Sequence, residues 1–168
     1  MWKRVGRAAI FLGESIVLLA IVLATIFVRI PQVDGASMAP TIPSGAIVVT
    51  ESLSQDFTPP QRGEIVAFSL DLSRRETYIK RVIALPGDRI GIDNGVVFVN
   101  GVRIHEPYVH LHDTRSMPTL VVPPGKLFVL GDDRPHSEDS RFFGPIAESR
   151  VIGRAWWILW PFARFGPL

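Results

Sequence analysis

Tyr78-Ile79-Lys80-Arg81-Val82-Ile83-Ala84-Leu85-Pro86-Gly87-Asp88-Arg89-Ile90-Gly91-Ile92-Asp93-Asn94-Gly95-Val96-Val97-Phe98-Val99-Asn100-Gly101 decides the fold. Val and Ile dominate the runs Tyr78–Leu85, Arg89–Ile92 and Val96–Val99, and β-branched side chains suit a pleated, half-buried surface. The breaks between the runs are turn chemistry. Pro86-Gly87-Asp88 stops a strand, while Asn94-Gly95 and Asn100-Gly101 place residues that accept positive φ where a hairpin needs them. Residues 89–104 therefore read as a small β-meander.

The same pattern continues outward in both directions. Ala46–Thr50, Glu64–Phe68, Lys126–Leu130 and Val151–Trp157 are further strand-like runs, set off by Pro43-Ser44-Gly45 and Pro123-Pro124-Gly125. The 14 glycines and 14 prolines favour many turns and short strands over long helices. A mostly β, antiparallel fold with little helix is expected, without internal repeats. The tail Trp156-Trp157-Ile158-Leu159-Trp160-Pro161-Phe162 is expected to close it as a core strand, an interfacial aromatic belt being the alternative.

The N-terminus is of another kind. Met1-Trp2-Lys3-Arg4-Val5-Gly6-Arg7 is basic, and Ile10 to Val28 is apolar apart from Glu14, Ser15 and Thr25. A helix of that length covers roughly 28 Å, close to the hydrocarbon thickness of a bilayer. A cleaved leader is disfavoured, because Asp34-Gly35-Ala36 puts a charge where a small neutral residue is needed. A buried helix of a soluble core would show a polar face. The chain thus divides into a cytoplasmic 1–9, a transmembrane anchor 10–28 and an extracytoplasmic β domain 29–168. Lys3, Arg4 and Arg7 set that orientation.

At 168 residues the chain reads as one domain plus the anchor. With no cysteine, disulfides, thiolate metal sites and cysteine nucleophiles are excluded. A net charge of +2 without a block of five basic residues gives no nucleic-acid surface.

Serine becomes a nucleophile only when a base removes its proton. Ser37 stands just beyond the anchor, in Gly35-Ala36-Ser37-Met38-Ala39-Pro40-Thr41. His105, His110 and His112 fall in a stretch that reads as a solvated loop, and their spacing matches no strong metal template. His136 is followed by Ser137 and Asp139, but sequence neighbours seldom form a triad. Lys80 is the stronger base, since Ile79, Val82 and Ile83 can desolvate its ammonium. Acting near neutral pH requires a fall of roughly two to three units from about 10.4. The ordinary alternative is an edge-strand lysine whose amine reaches solvent. Gly131-Asp132-Asp133-Arg134-Pro135-His136-Ser137-Glu138-Asp139-Ser140-Arg141 is either a charged surface loop or a brace for the amine.

Ser37-Met38-Ala39-Pro40-Thr41, Arg62-Gly63-Glu64-Ile65-Val66-Ala67-Phe68, Tyr78 to Asp88 and the 131–141 block resemble, in order and spacing, the motif set of bacterial type I signal (leader) peptidases. The likeness runs from the anchor to about Phe162. It implies a Ser/Lys serine endopeptidase that removes leaders from exported preproteins after a small-x-small site, on the outer face of the cytoplasmic membrane. Ser37 would be the nucleophile and its backbone N–H an oxyanion donor, with Lys80 the general base. Ser137 would position the Lys80 amine, and Asp139 and Arg141 would form a supporting pair. Met38, Ile42, Tyr78 and Ile79 match positions at or near the family's shallow substrate pockets. The implied partners are preprotein signal peptides and the lipid bilayer; no cofactor or metal is required. Gly35 stands where some members carry a serine that adds an oxyanion donor. Asp133 replaces a common asparagine, and Glu64 a common aspartate. The other readings are a different Ser/Lys processing or self-cleaving peptidase, and a non-enzymatic, membrane-tethered β domain.

Overall fold

The computed structural model describes residues 14–19, 21–22, 25–71 and 76–168. Strands come in the order β1 (Val28–Arg29), β2 (Ile47–Glu51), β3 (Ile65–Phe68), β4 (Tyr78–Ala84), β5 (Arg89–Asp93) and β6 (Val96–Val99). They continue as β7 (Val102–Arg103), β8 (Met117–Val121), β9 (Lys126–Leu130), β10 (Ile146–Ala147), β11 (Val151–Trp160) and β12 (Gly166–Pro167). Every described pairing is antiparallel.

Two sheets result. The larger has eight strands in the order β1-β2-β11-β3-β4-β9-β10, with β12 added on β11. The smaller has four, ordered β7-β6-β5-β8. Its turns are the predicted ones: Asn94 and Gly95 take φ of 47° and 79°, and Asn100 and Gly101 take 55° and 81°. The meander read over 89–104 is present as β5, β6 and β7, and β8 extends it along the free edge of β5.

Three apolar clusters hold the sheets. One joins the small sheet to the large one through Ile83, Ile90, Ile92, Val97, Val99, Phe128 and Leu130. A second lies under the Ser37 turn and contains Val33, Met38, Ile42, Ala46, Val48, Ile65 and Ile158. The third packs Val66, Phe68, Val82, Leu127, Val129 and Ile146 on the opposite side. Burying each such aliphatic side chain stabilises the fold by about 1.5–3 kcal/mol.

Trp156 to Trp160 of the aromatic tail form the end of strand β11, central between β2 and β3, and Pro161-Phe162 lie beyond it. Its alternation divides it: Ile158 is buried, whereas Trp156 and Trp160 are about half exposed, at 49% and 48%. Upstream, residues 14–19, 21–22 and 25–27 are helical, and Ile16, Val17, Leu18, Leu19, Ile21, Val22 and Ile26 are exposed. Among the described residues no helix is long and apolar enough to cross a membrane. The expected segment 1–9, and residues 10–13, 20, 23 and 24 of the expected span, lie outside the described residues. Val28 already belongs to β1, paired with Glu51.

Candidate active site

Three pieces of chain meet at the site. The first is the turn after Ser37, closed by Ala39 N–H donating to the Ala36 carbonyl (2.8 Å) and Ile42 N–H to the Met38 carbonyl (2.8 Å). Met38 and Ile42 are 1% and 0% exposed, so they anchor this turn in the core beneath it and leave Ser37 at the surface of the fold. The second piece is β4. It lies between β3 and β9, with Lys80 opposite Val66. Lys80 is therefore no edge residue. Its side chain is buried and Nζ sits 2.7 Å from Ser37 Oγ and 3.0 Å from the Ile79 carbonyl oxygen.

The third piece, Gly131 to Arg141, follows β9 and is buried polar structure. Asp132 and Asp139 have no exposed surface, and Asp133, Arg134, Ser137 and Ser140 are buried beside them. Asp139 caps the short helix Ser140–Phe143. Its Oδ2 accepts from Ser137 Oγ (2.7 Å), Gly131 N–H (3.0 Å) and Arg141 (2.7 Å), while Oδ1 accepts from Arg141 Nε (2.8 Å). The expected Asp139–Arg141 pair is a two-pronged one.

Asp132 joins all three pieces. It accepts from Thr41 in the Ser37 turn and, through both oxygens, from Arg81 on β4 at 2.9 and 2.7 Å. A further tie runs from Asp133 N–H to the Ser37 carbonyl (3.1 Å). Thr41, Arg81, Asp132 and Gly131 were not singled out from sequence, although all lie inside the quoted motifs. Gly131 is there because nothing larger fits. A Cβ at that position would lie 2.2 Å from Ser137 Oγ and 2.4 Å from the Ser37 carbonyl oxygen.

Burial is the main influence on Lys80. It lowers the amine from 10.5 to about 8, and the charges of Asp139, Glu138 and Asp132 oppose it. The counter-charge on Asp139 is largely answered by Arg141, so desolvation prevails. The required fall of two to three units is met by position alone.

A groove of about 560 Å³ runs over the pair. Val33, Ala36, Ser37, Ala67, Tyr78 and Ile79 line it together with Asp34, Glu76, Glu138 and His136. Of the four expected substrate-contact residues, Tyr78 and Ile79 line this groove. Met38 and Ile42 lie in the core below it. Ser137 is near but differently engaged: among the described bonds its hydroxyl goes to Asp139, and none joins it to Lys80. His136 rests on Asp133, 3.0 Å away, with its ring mostly in solvent. His105, His110 and His112 are exposed, and no metal-holding group of side chains occurs among the described residues. The Gly35 N–H donates to Ser44 Oγ at 3.3 Å, and φ at Gly35 is +100°. A serine there would be strained.

A β fold presenting a serine hydroxyl to a desolvated lysine amine under an open, peptide-sized groove has the makings of a peptidase that works without histidine. The family model described as signal peptidase, peptidase S26, matches residues 7–160, and the chain belongs to that family. It is 37% identical over 147 residues to signal peptidase I of Bacillus caldolyticus, covering 79% of this chain and 80% of that protein. It is also 37% identical over 173 residues to probable signal peptidase I-1 of Synechocystis sp., covering 94% and 87%. The crystal structure of a signal peptidase I from Enterococcus faecalis superposes with a TM-score of 0.51 at 33% identity, over 58% of this chain and 97% of that one. The chain is thus a serine endopeptidase of the signal peptidase I type, a membrane-associated family whose members remove signal peptides.

Proposed function

We propose that this chain removes signal peptides with Ser37 as nucleophile and Lys80 as general base. The 2.7 Å approach of a buried amine to the hydroxyl is the observation that carries this reading. Ser37 Oγ attacks the scissile carbonyl carbon while its proton passes to Lys80 Nζ. The tetrahedral intermediate collapses, the protonated amine gives that proton to the departing nitrogen of the mature protein, and the leader stays as an ester on Ser37. Lys80, neutral again, takes a proton from water, whose oxygen attacks the ester and frees the leader.

The Ser37 backbone N–H serves as oxyanion donor; Gly35 adds no hydroxyl to it. Asp139, Arg141 and Ser137 keep the floor of the site rigid, with Ser137 acting through Asp139. The substrate lies extended in the groove, where walls of Val33, Ala67 and Ile79 favour small side chains. Residues 10–28 anchor the chain with residues 1–9 in the cytoplasm and 29–168 outside. The exposed apolar side chains of helical residues 14–19, 21–22 and 25–26 support this arrangement. Ser37 then stands nine residues beyond Val28, where a leader emerging from the bilayer presents its cleavage site.

Preprotein cleavage in liposomes by Ser37→Ala and Lys80→Ala tests the reading. Both should be inactive while folded, and full activity in either sinks it. Chelation by EDTA should leave the wild-type rate unchanged; a loss restored by zinc would contradict the metal-free mechanism.

A further inference from the structure

The segment 104–116, between β7 and β8, looks from its three histidines like a solvated loop. The histidines are indeed exposed, but Glu106, Tyr108 and Asp113 are turned inward, each to a different arginine. Glu106 takes Arg134, whose Nε donates to the Gly131 carbonyl at 2.9 Å. Tyr108 lies under the Arg81 guanidinium, 4.0 Å from ring centroid to Cζ, and Arg81 holds Asp132. Asp113 Oδ2 accepts from Arg141 Nη1 at 2.6 Å, and Arg141 holds Asp139. Each arginine is thus clasped between this segment and one part of the catalytic block.

Asp113 is itself held from behind. At the β5–β6 turn, Gly95 N–H donates to the Arg115 carbonyl (2.9 Å) and Asn94 N–H to Ser116 Oγ (2.9 Å). The contact is so close that a Cβ on Gly95 would lie 1.9 Å from the Asp113 carbonyl oxygen. A connection needed only to join two strands gains little from such pairs, since buried ion pairs contribute weakly to net stability. They do fix geometry. The Arg141 side chain is 2% exposed, and two of its nitrogens go to Asp139. Remove Asp113 and a buried guanidinium arm loses its partner. Relief comes by rotating the fork, which loosens Asp139 and, with it, Ser137 and the Gly131 N–H.

We propose that Asp113 is a positioning residue for hydrolysis, acting through Arg141 and Asp139, and that the Asn94-Gly95 turn of the small sheet holds it in place. This rests on the Ser37/Lys80 reading above.

The experiment is a double-mutant cycle in kcat, measured on a preprotein with the full chain in liposomes. Asp113→Ala should lower kcat roughly 10–100-fold, the cost of a small misplacement at a reacting site, with KM unchanged within about twofold. Asp113→Asn, which keeps the side-chain volume, should fall between it and wild type. In an Arg141→Ala background Asp113→Ala should add less than about twofold, because its route is already cut. His112→Ala, on the same segment but exposed, should keep the wild-type kcat. Wild-type kcat in Asp113→Ala overturns the proposal. So does a full multiplicative loss in the double variant, or a loss matching the unfolded fraction seen by thermal melting in both Asp113 variants. Ser37→Ala run alongside separates the levels. If it cleaves, the dyad reading falls and the strut with it; if it is dead while Asp113→Ala is fully active, only the strut falls.

Discussion

The two sheets are built of similar strands and differ in what they bury. Between the small sheet and its neighbour lies an apolar cluster that includes Ile90, Val97, Val99 and Phe128. Around the Ser37 end of the large sheet polar side chains are buried as well, with Lys80, Asp132, Asp133, Arg134, Ser137 and Asp139 all inside. Apolar packing is tolerant and additive, and its loss is felt as stability. A buried polar network fixes positions at a desolvation cost, and its loss is felt as activity. The same substitution logic therefore gives opposite readouts in the two regions.

The largest effects fall in the polar region. Ser37→Ala or Lys80→Ala should lower kcat by on the order of 10⁴-fold or more, the scale of removing one member of a nucleophile–base unit. Gly131→Ala comes next. Its Cβ would meet Ser137 Oγ at 2.2 Å and the Ser37 carbonyl at 2.4 Å, so kcat should fall about 100-fold while the β signal in circular dichroism is kept. A Gly131→Ala enzyme with wild-type turnover would break the contrast, because a network that shifts freely is not fixing anything.

Stability effects are smaller and of opposite sign in the two regions. Ile90→Ala, at a fully buried position of the apolar cluster, should cost about 2–5 kcal/mol in denaturant unfolding, with kcat per folded molecule unchanged. Lys80→Met should raise stability. The folded-state pKa of Lys80 is depressed to about 8, so the unfolded chain binds the extra proton between there and 10.5. Wild-type stability accordingly rises with pH across that window, and the cost of the buried amine is fully present below it. Replacing the amine by an apolar group should recover up to about 3 kcal/mol at pH 7, at the expense of all activity. Equal or lower stability would show that the amine is less desolvated than its burial implies.

What was legible in the sequence follows the same division. The hairpins at Asn94-Gly95 and Asn100-Gly101 were read because positive φ at a turn is a local requirement carried by the residues themselves. Strand β8 was missed because Met117-Pro118-Thr119-Leu120-Val121 contains a proline, which an edge strand accepts and a central one does not. The two-residue strands β1, β10 and β12 are set by their partners and leave no local signal. In the site, Ser37 and Lys80 could be paired only through the resemblance of four separated motifs, since they stand 43 positions apart. Asp113 and Glu106 carry no periodic or motif signal, and the histidines around them pointed to solvent. Met38 and Ile42 match substrate positions through the resemblance; that they also pack beneath the nucleophile is a tertiary fact no motif carries.

The central claim is that a neutral Lys80, desolvated by its place in β4, is the base. The pH dependence of kcat/KM on a preprotein tests it most directly, because the free enzyme's essential ionisation appears there. The base must be unprotonated, so the rate should rise with pH through a single midpoint near 8 and level off above it. That midpoint should not move in His136→Gln, although His136 lines the same groove. A midpoint near 6.5 that shifts or vanishes in His136→Gln would contradict the account and make the histidine the base.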